Sequence, residues 1–79
     1  MISKQIKIRL DKIDDVKRFV ETASKIPNII DVLSGRYVAD AKSIMGLFSL
    51  DLSKDLILTV YGDLNPAFEY ELRKFEVLE

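Results

Sequence analysis

The sequence predicts an α+β fold: an open-faced two-layer sandwich in which a largely antiparallel, four-stranded sheet carries three helices on one face, in the order β-α-β-β-α-β-α. Three observations lead there. Apolar residues alternate with charged ones at a period of two near the start, three further segments are β-rich and bounded by turn residues, and the stretches between carry apolar side chains at helical spacing. A sheet with helices on one face buries all of those stripes against one another.

The first strand rests on Ile6, Ile8 and Leu10, which alternate with Lys7 and Arg9 and so place apolar side chains on one face and charge on the other. Val16, Phe19, Val20 and Ala23 then follow the i, i+3, i+4, i+7 spacing of a helix face, with Asp11 and Asp14 as candidate N-caps. Pro27 ends this helix, because the residue before a proline is pushed out of the α region. Ile29–Leu33 and Arg36–Ala41 read as two strands joined at Ser34-Gly35, a linker suited to a tight hairpin. Ser43–Leu50 reads as a short helix capped by Ser43, with Ile44, Leu47 and Phe48 at helical spacing. Leu56–Tyr61 is the fourth strand. Asn65-Pro66 pairs a cap residue with the residue best tolerated at the first helical position, and Phe68, Leu72 and Phe75 supply the last helix's apolar stripe. Arg73 and Lys74 fall near its end, where the helix dipole favours cations.

The chain has 79 residues, 48% apolar and 32% charged, which fits one soluble domain over residues 1–79 and leaves no room for a second. There is no cysteine, so disulfides are excluded. Met1–Lys12 lacks the charged start and apolar block of a secretory signal, and no apolar run approaches the ~18 residues of a membrane span, which makes the cytoplasm the expected location. The net charge of −1 argues against nucleic acid as a partner, since phosphate-driven affinity needs clustered Lys and Arg. Residues 1–36 carry eight basic and five acidic side chains, residues 37–79 four and eight, an asymmetry read as ordinary surface charge.

With no histidine and no cysteine, nucleophilic triads, thiol chemistry, imidazole acid–base catalysis and transition-metal sites lose their usual groups, so no catalytic residue, metal or cofactor is expected. The carboxylate pairs Asp14/Asp15 and Glu69/Glu71 point to different faces of their helices. Gly35, Gly46 and Gly62 are isolated and form no phosphate loop.

The segment that stands out is Lys42–Leu50, KSIMGLFSL. Ser43 opens a short helix followed by Ile44, Met45, Leu47, Phe48 and Leu50, more large apolar residues than one buried stripe needs, so some are expected at the surface. An exposed apolar patch beside a capping serine suits protein docking. Phosphorylating that serine would add about −1.5 to −2 charges at a helix N-terminus, changing the surface more than the fold. The plainer alternative is that Ser43 only caps and its apolar neighbours only pack.

KSIMGLFSL closely resembles the regulatory-serine segment of HPr proteins, commonly KSIMGVMSL, departing at Leu47 and Phe48. Thr22-Ala23-Ser24-Lys25 also resembles the end of the first HPr helix, with matching spacing to Lys42, and Ser34-Gly35 falls on the family's hairpin turn. The resemblance implies the sheet order 1-4-2-3 with three helices on one face. HPr phosphotransfer depends on a histidine in a loop reading G-I-H-A-R-P-A between the first strand and first helix. Here Leu10 and Val16 enclose only Asp-Lys-Ile-Asp-Asp, a shorter stretch without histidine, in which Asp14 falls near the family's phosphate-holding arginine.

The resemblance therefore implies a non-catalytic HPr-like regulatory or adaptor protein related to the sugar phosphotransferase system, reminiscent of the catabolite-repression HPr homologue. Ser43 matches the serine phosphorylated by HPr kinase, and Ile44, Met45, Leu47 and Phe48 form the expected docking surface. The implied partners are that kinase, phosphotransferase-system proteins or a transcriptional regulator. Two alternatives remain open: a phosphocarrier using another acceptor residue, and an HPr-fold binding module unrelated to sugar uptake.

Overall fold

Alternation at Ile6 and Ile8 and β-branched or aromatic enrichment elsewhere produce four strands in the computed structural model, which describes residues 2–78. They are β1 (Ile2–Ile8), β2 (Ile30–Ser34), β3 (Tyr37–Asp40) and β4 (Leu56–Tyr61), joined in one sheet of order β1-β4-β2-β3. Every neighbouring pair is antiparallel. The helices are α1 (Ile13–Ser24), α2 (Ile44–Phe48) and α3 (Pro66–Leu72), and a 3-10 turn at Arg73–Phe75 continues the last. This is the expected α+β open-faced sandwich, in the expected strand order.

Register shows how the core is assembled. Ile6, Leu58, Val32 and Ala39 lie side by side across the four strands, and all four are buried. Above that row, α1 contributes Val16, Phe19 and Ala23, α2 contributes Leu47 and α3 contributes Leu72. The Phe19 ring meets Phe75 edge to face, centroids 5.2 Å apart at 90°, joining α1 to the turn after α3. Leu10, expected within the first strand, lies beyond it yet is fully buried, because the chain leaving β1 still runs under the helices.

Several local expectations shift by a residue or two. α1 is capped at Lys12, not at Asp11 or Asp14; the carboxylate that serves its first turn belongs to Asp15, whose Oδ2 accepts from the backbone N–H groups of Lys12 (3.1 Å) and Asp11 (3.2 Å). The helix ends at Ser24 with Lys25 as C-cap, since Pro27 has no N–H to offer Ala23 and Ile26 takes that carbonyl instead at 3.0 Å. The hairpin turns on Gly35-Arg36, one residue later than expected. Ser34 pairs with Tyr37, and Gly35 alone takes positive φ (+60°), the pattern of a II′ turn. Asn65-Pro66 caps α3 as expected, Asn65 Oδ1 accepting from Ala67 N–H at 2.8 Å.

One pairing has no local signature. After the 3-10 turn, the chain lies along the free edge of β1: Arg9 N–H donates to Phe75 O (3.1 Å) and Val77 N–H to Lys7 O (2.8 Å). This covers part of an edge that would otherwise present unpaired backbone groups.

Candidate functional site

Lys42–Leu50 is held at its entrance by Asp40. Its Oδ1 accepts from Lys42 N–H at 2.9 Å and its carbonyl from Ser43 N–H at 3.0 Å, so the chain turns sharply out of β3 into α2. The Lys42 ammonium reaches back to the carbonyl of Ile26, at 2.6 Å, and ties this turn to the end of α1. Ser43 is in extended conformation (φ −112°, ψ 109°) and caps α2: its Oγ accepts from Gly46 N–H at 3.1 Å, and its carbonyl from Leu47 N–H at 3.1 Å. Its side chain is half-buried.

A five-residue helix has no stability of its own and depends on what it buries. Leu47 is that anchor, at 0% exposure, with half-buried Ile44 packed on the same core and α2 resting against α1 and β3. Leu47 is therefore not a docking residue as expected, because its helix angle turns it inward and the core closes over it. Met45 (77% exposed) and Phe48 (42% exposed) face solvent. Ser43, Ile44, Met45 and Phe48 thus form one patch, with Leu47 beneath it. Lys42 and Asp40 were not singled out from sequence as site residues; Asp followed two residues later by a turn N–H is the signal that could have marked Asp40.

At the other end of α1, the connection from β1 comprises only Arg9–Lys12. Its arginine is engaged: Arg9 Nε is 3.1 Å from Asp55 Oδ1 and 3.9 Å from Asp11 Oδ1, and the Arg9 guanidinium donates to Ser53 O at 3.0 Å. Arg18 pairs with Asp15 at 2.6 Å. That guanidinium, with the two backbone N–H groups, holds the Asp15 carboxyl below the usual aspartate range. Asp14 and Asp15 in the first turn of α1 suit the helix dipole. Among the described residues, no cluster of potential metal ligands occurs and no helix is long and apolar enough to cross a membrane.

Element order, sheet order and the α2 segment together define a molecule with the HPr fold. Among solved structures, the chain is similar to HPr-C-His from Thermoanaerobacter tengcongensis, with a TM-score of 0.77 and 29% identity over 91% of this chain and 89% of that one. No protein-family model matches the chain, and no curated protein does.

Proposed function

We propose that the chain is a non-catalytic, cytoplasmic regulatory or adaptor protein of phosphotransferase type, which docks a protein partner through Ile44, Met45 and Phe48 and is switched by phosphorylation of Ser43. The observation that carries this reading is the pairing of a capping serine with two exposed apolar side chains on a helix whose own anchor, Leu47, is buried. Exposed Met and Phe beside a polar cap make a surface that adapts to a partner. Transfer of the γ-phosphoryl of ATP to Ser43 Oγ, with release of ADP and the hydroxyl proton, leaves an oxygen that can still accept from Gly46 N–H. The added negative charge sits at the start of α2, where the exposed N–H groups favour it.

The short, histidine-free β1–α1 connection supports the non-catalytic half of the proposal. Arg9 is engaged by Asp55 and Arg18 by Asp15, and the connection holds no histidine to receive a phosphoryl group. Incubation with ATP and an HPr kinase, read by intact mass with Ser43→Ala as control, tests the switch. One phosphate on the wild type and none on the variant is expected; an unmodified wild type refutes it. Affinity capture with wild type and Phe48→Asp tests docking, the variant losing the bound partner.

A further inference from the structure

The helices cover one face of the sheet and leave the other open. Alternation and register arrange the open-face side chains in rows across the strands. One row runs Lys7, Ile57, Leu33, Val38, and the next runs Gln5, Thr59, Asp31, Asp40. Gln5 Nε2 donates to Thr59 Oγ1 at 3.4 Å, which places both on this face. The first row is apolar across three strands, ending in Val38 at 60% exposure. The second ends in two carboxylates directly opposite each other, a like-charge cross-strand pair that destabilises a sheet. Among the described residues, no Lys or Arg side chain lies within ion-pair distance of either carboxylate, and no carboxylate within that distance of Lys7. The face thus carries on its β1 edge a cation without an ion-pair partner, towards its β3 edge two carboxylates that no cation neutralises, although Asp40 Oδ1 accepts from Lys42 N–H, and an apolar band beside them.

We propose that this open face is the interface of a symmetric homodimer. A two-fold axis parallel to the strands lays one sheet on the other with its edges exchanged, β1 over β3 of the second copy and β4 over β2. Ile57 then meets Leu33 of the second copy, and Leu33 meets its Ile57, so the apolar band stacks on itself. Lys7 comes over Val38 of the second copy, one row (~6.8 Å) from its Asp40, across the ~10 Å that separates packed sheets, a span its long side chain can bridge towards that carboxylate. The symmetry makes this contact twice. A two-fold axis across the strands would instead set β1 on β1 and β3 on β3, leaving all these charges unmatched. Four strands ~4.8 Å apart and two rows ~6.8 Å apart give a face of roughly 260 Å² per copy, against ~800 Å² for a standard interface, so the dimer is reversible and forms at high concentration. It leaves α2, in the helix layer, free for a partner.

Sedimentation velocity on the full chain, from micromolar to millimolar, tests this. The wild type is expected to rise with concentration towards twice its monomer mass. Lys7→Glu and Asp40→Lys each place like charges together twice and should remove that rise. Their equimolar mixture should regain it, because both contacts of the mixed dimer then join opposite charges. Far-UV circular dichroism checks folding; if Asp40→Lys, which loses the acceptor for Lys42 N–H, melts early, Asp31→Lys replaces it. A wild type monomeric throughout, reversal variants that associate as wild type does, or a mixture that stays monomeric would overturn the proposal.

Discussion

Replacing Ser43 by Ala removes one acceptor from a helix of five residues. Gly46 N–H, now 3.1 Å from Ser43 Oγ, would be left half-buried with only water to meet it. Loss of such a cap costs about 1 kcal/mol, within a range of roughly 0.5–2. The helix cannot fray to avoid that cost, because Leu47 and Ile44 bind it to the core, so the loss should register in global unfolding. For a domain of this size, ~1 kcal/mol corresponds to a melting temperature lower by about 4–8 °C. Ser43→Asp keeps an acceptor of equal capping rank and adds a charge that the N-terminus favours, while the nearby Asp40 carboxylate opposes it. The Asp variant should therefore stay within about 0.5 kcal/mol of wild type. Urea unfolding followed by circular dichroism reads both, as a shift in midpoint at unchanged slope. An Ala variant as stable as wild type would show that the cap contributes nothing. An Asp variant as unstable as the Ala variant would show that the site rejects negative charge, and the phosphorylation switch would fail with it.

Leu47→Ala should destabilise by about 2–5 kcal/mol, a large share of the total for a chain this small, whereas exposed Met45→Ala should change stability by less than about 0.5 kcal/mol; parallel urea titrations distinguish them. Asp15→Ala should cost about 1 kcal/mol at neutral pH, since two backbone N–H groups lose their acceptor. Because the folded-state pKa of Asp15 lies below its unfolded value, the advantage of wild type is fully present above the unfolded pKa of ~3.9 and disappears as pH falls through the folded value. Melting curves from pH 7 to pH 2 should converge for the two proteins, and a constant gap would contradict the assignment. Gly46→Ala sets helix propensity, worth up to ~1 kcal/mol, against a new Cβ 3.2 Å from Ser43 Oγ. It should be more favourable in a Ser43→Ala background than in wild type, and a double-mutant cycle without coupling would refute that contact.

Features that depend on neighbours in the chain were legible in the residues themselves. Ile6 and Ile8 alternate because strand side chains alternate, Asn65-Pro66 starts α3 because a cap and a fixed φ act within one turn, and Ser43 caps α2 for the same reason. The strand order was anticipated only through the resemblance of KSIMGLFSL to HPr, since periodicity says nothing about which strand lies beside which. Absence of histidine likewise excludes phosphohistidine chemistry from composition alone. Small displacements, such as Asp15 serving the helix start in place of Asp11 or Asp14, arose because several carboxylates in a row compete for the same N–H groups and only the backbone path selects one.

Tertiary structure decided the rest, and for a common reason. Which of Leu47 and Phe48 faces inward depends on how α2 rolls against α1 and β3, a rotation that a five-residue pattern leaves undetermined. The clamp of Lys42 on Ile26, the Phe19–Phe75 contact and the pairing of Val77 with Lys7 join residues far apart in the chain, where no spacing rule operates. The open-face rows exist only once register aligns four strands, and a slip of one residue would send Lys7, Asp31 and Asp40 to the other side. Composition and local pattern by themselves determined that this chain folds as strands and short capped helices without imidazole chemistry; packing determined that Met45 and Phe48, and not Leu47, are the side chains its second helix exposes.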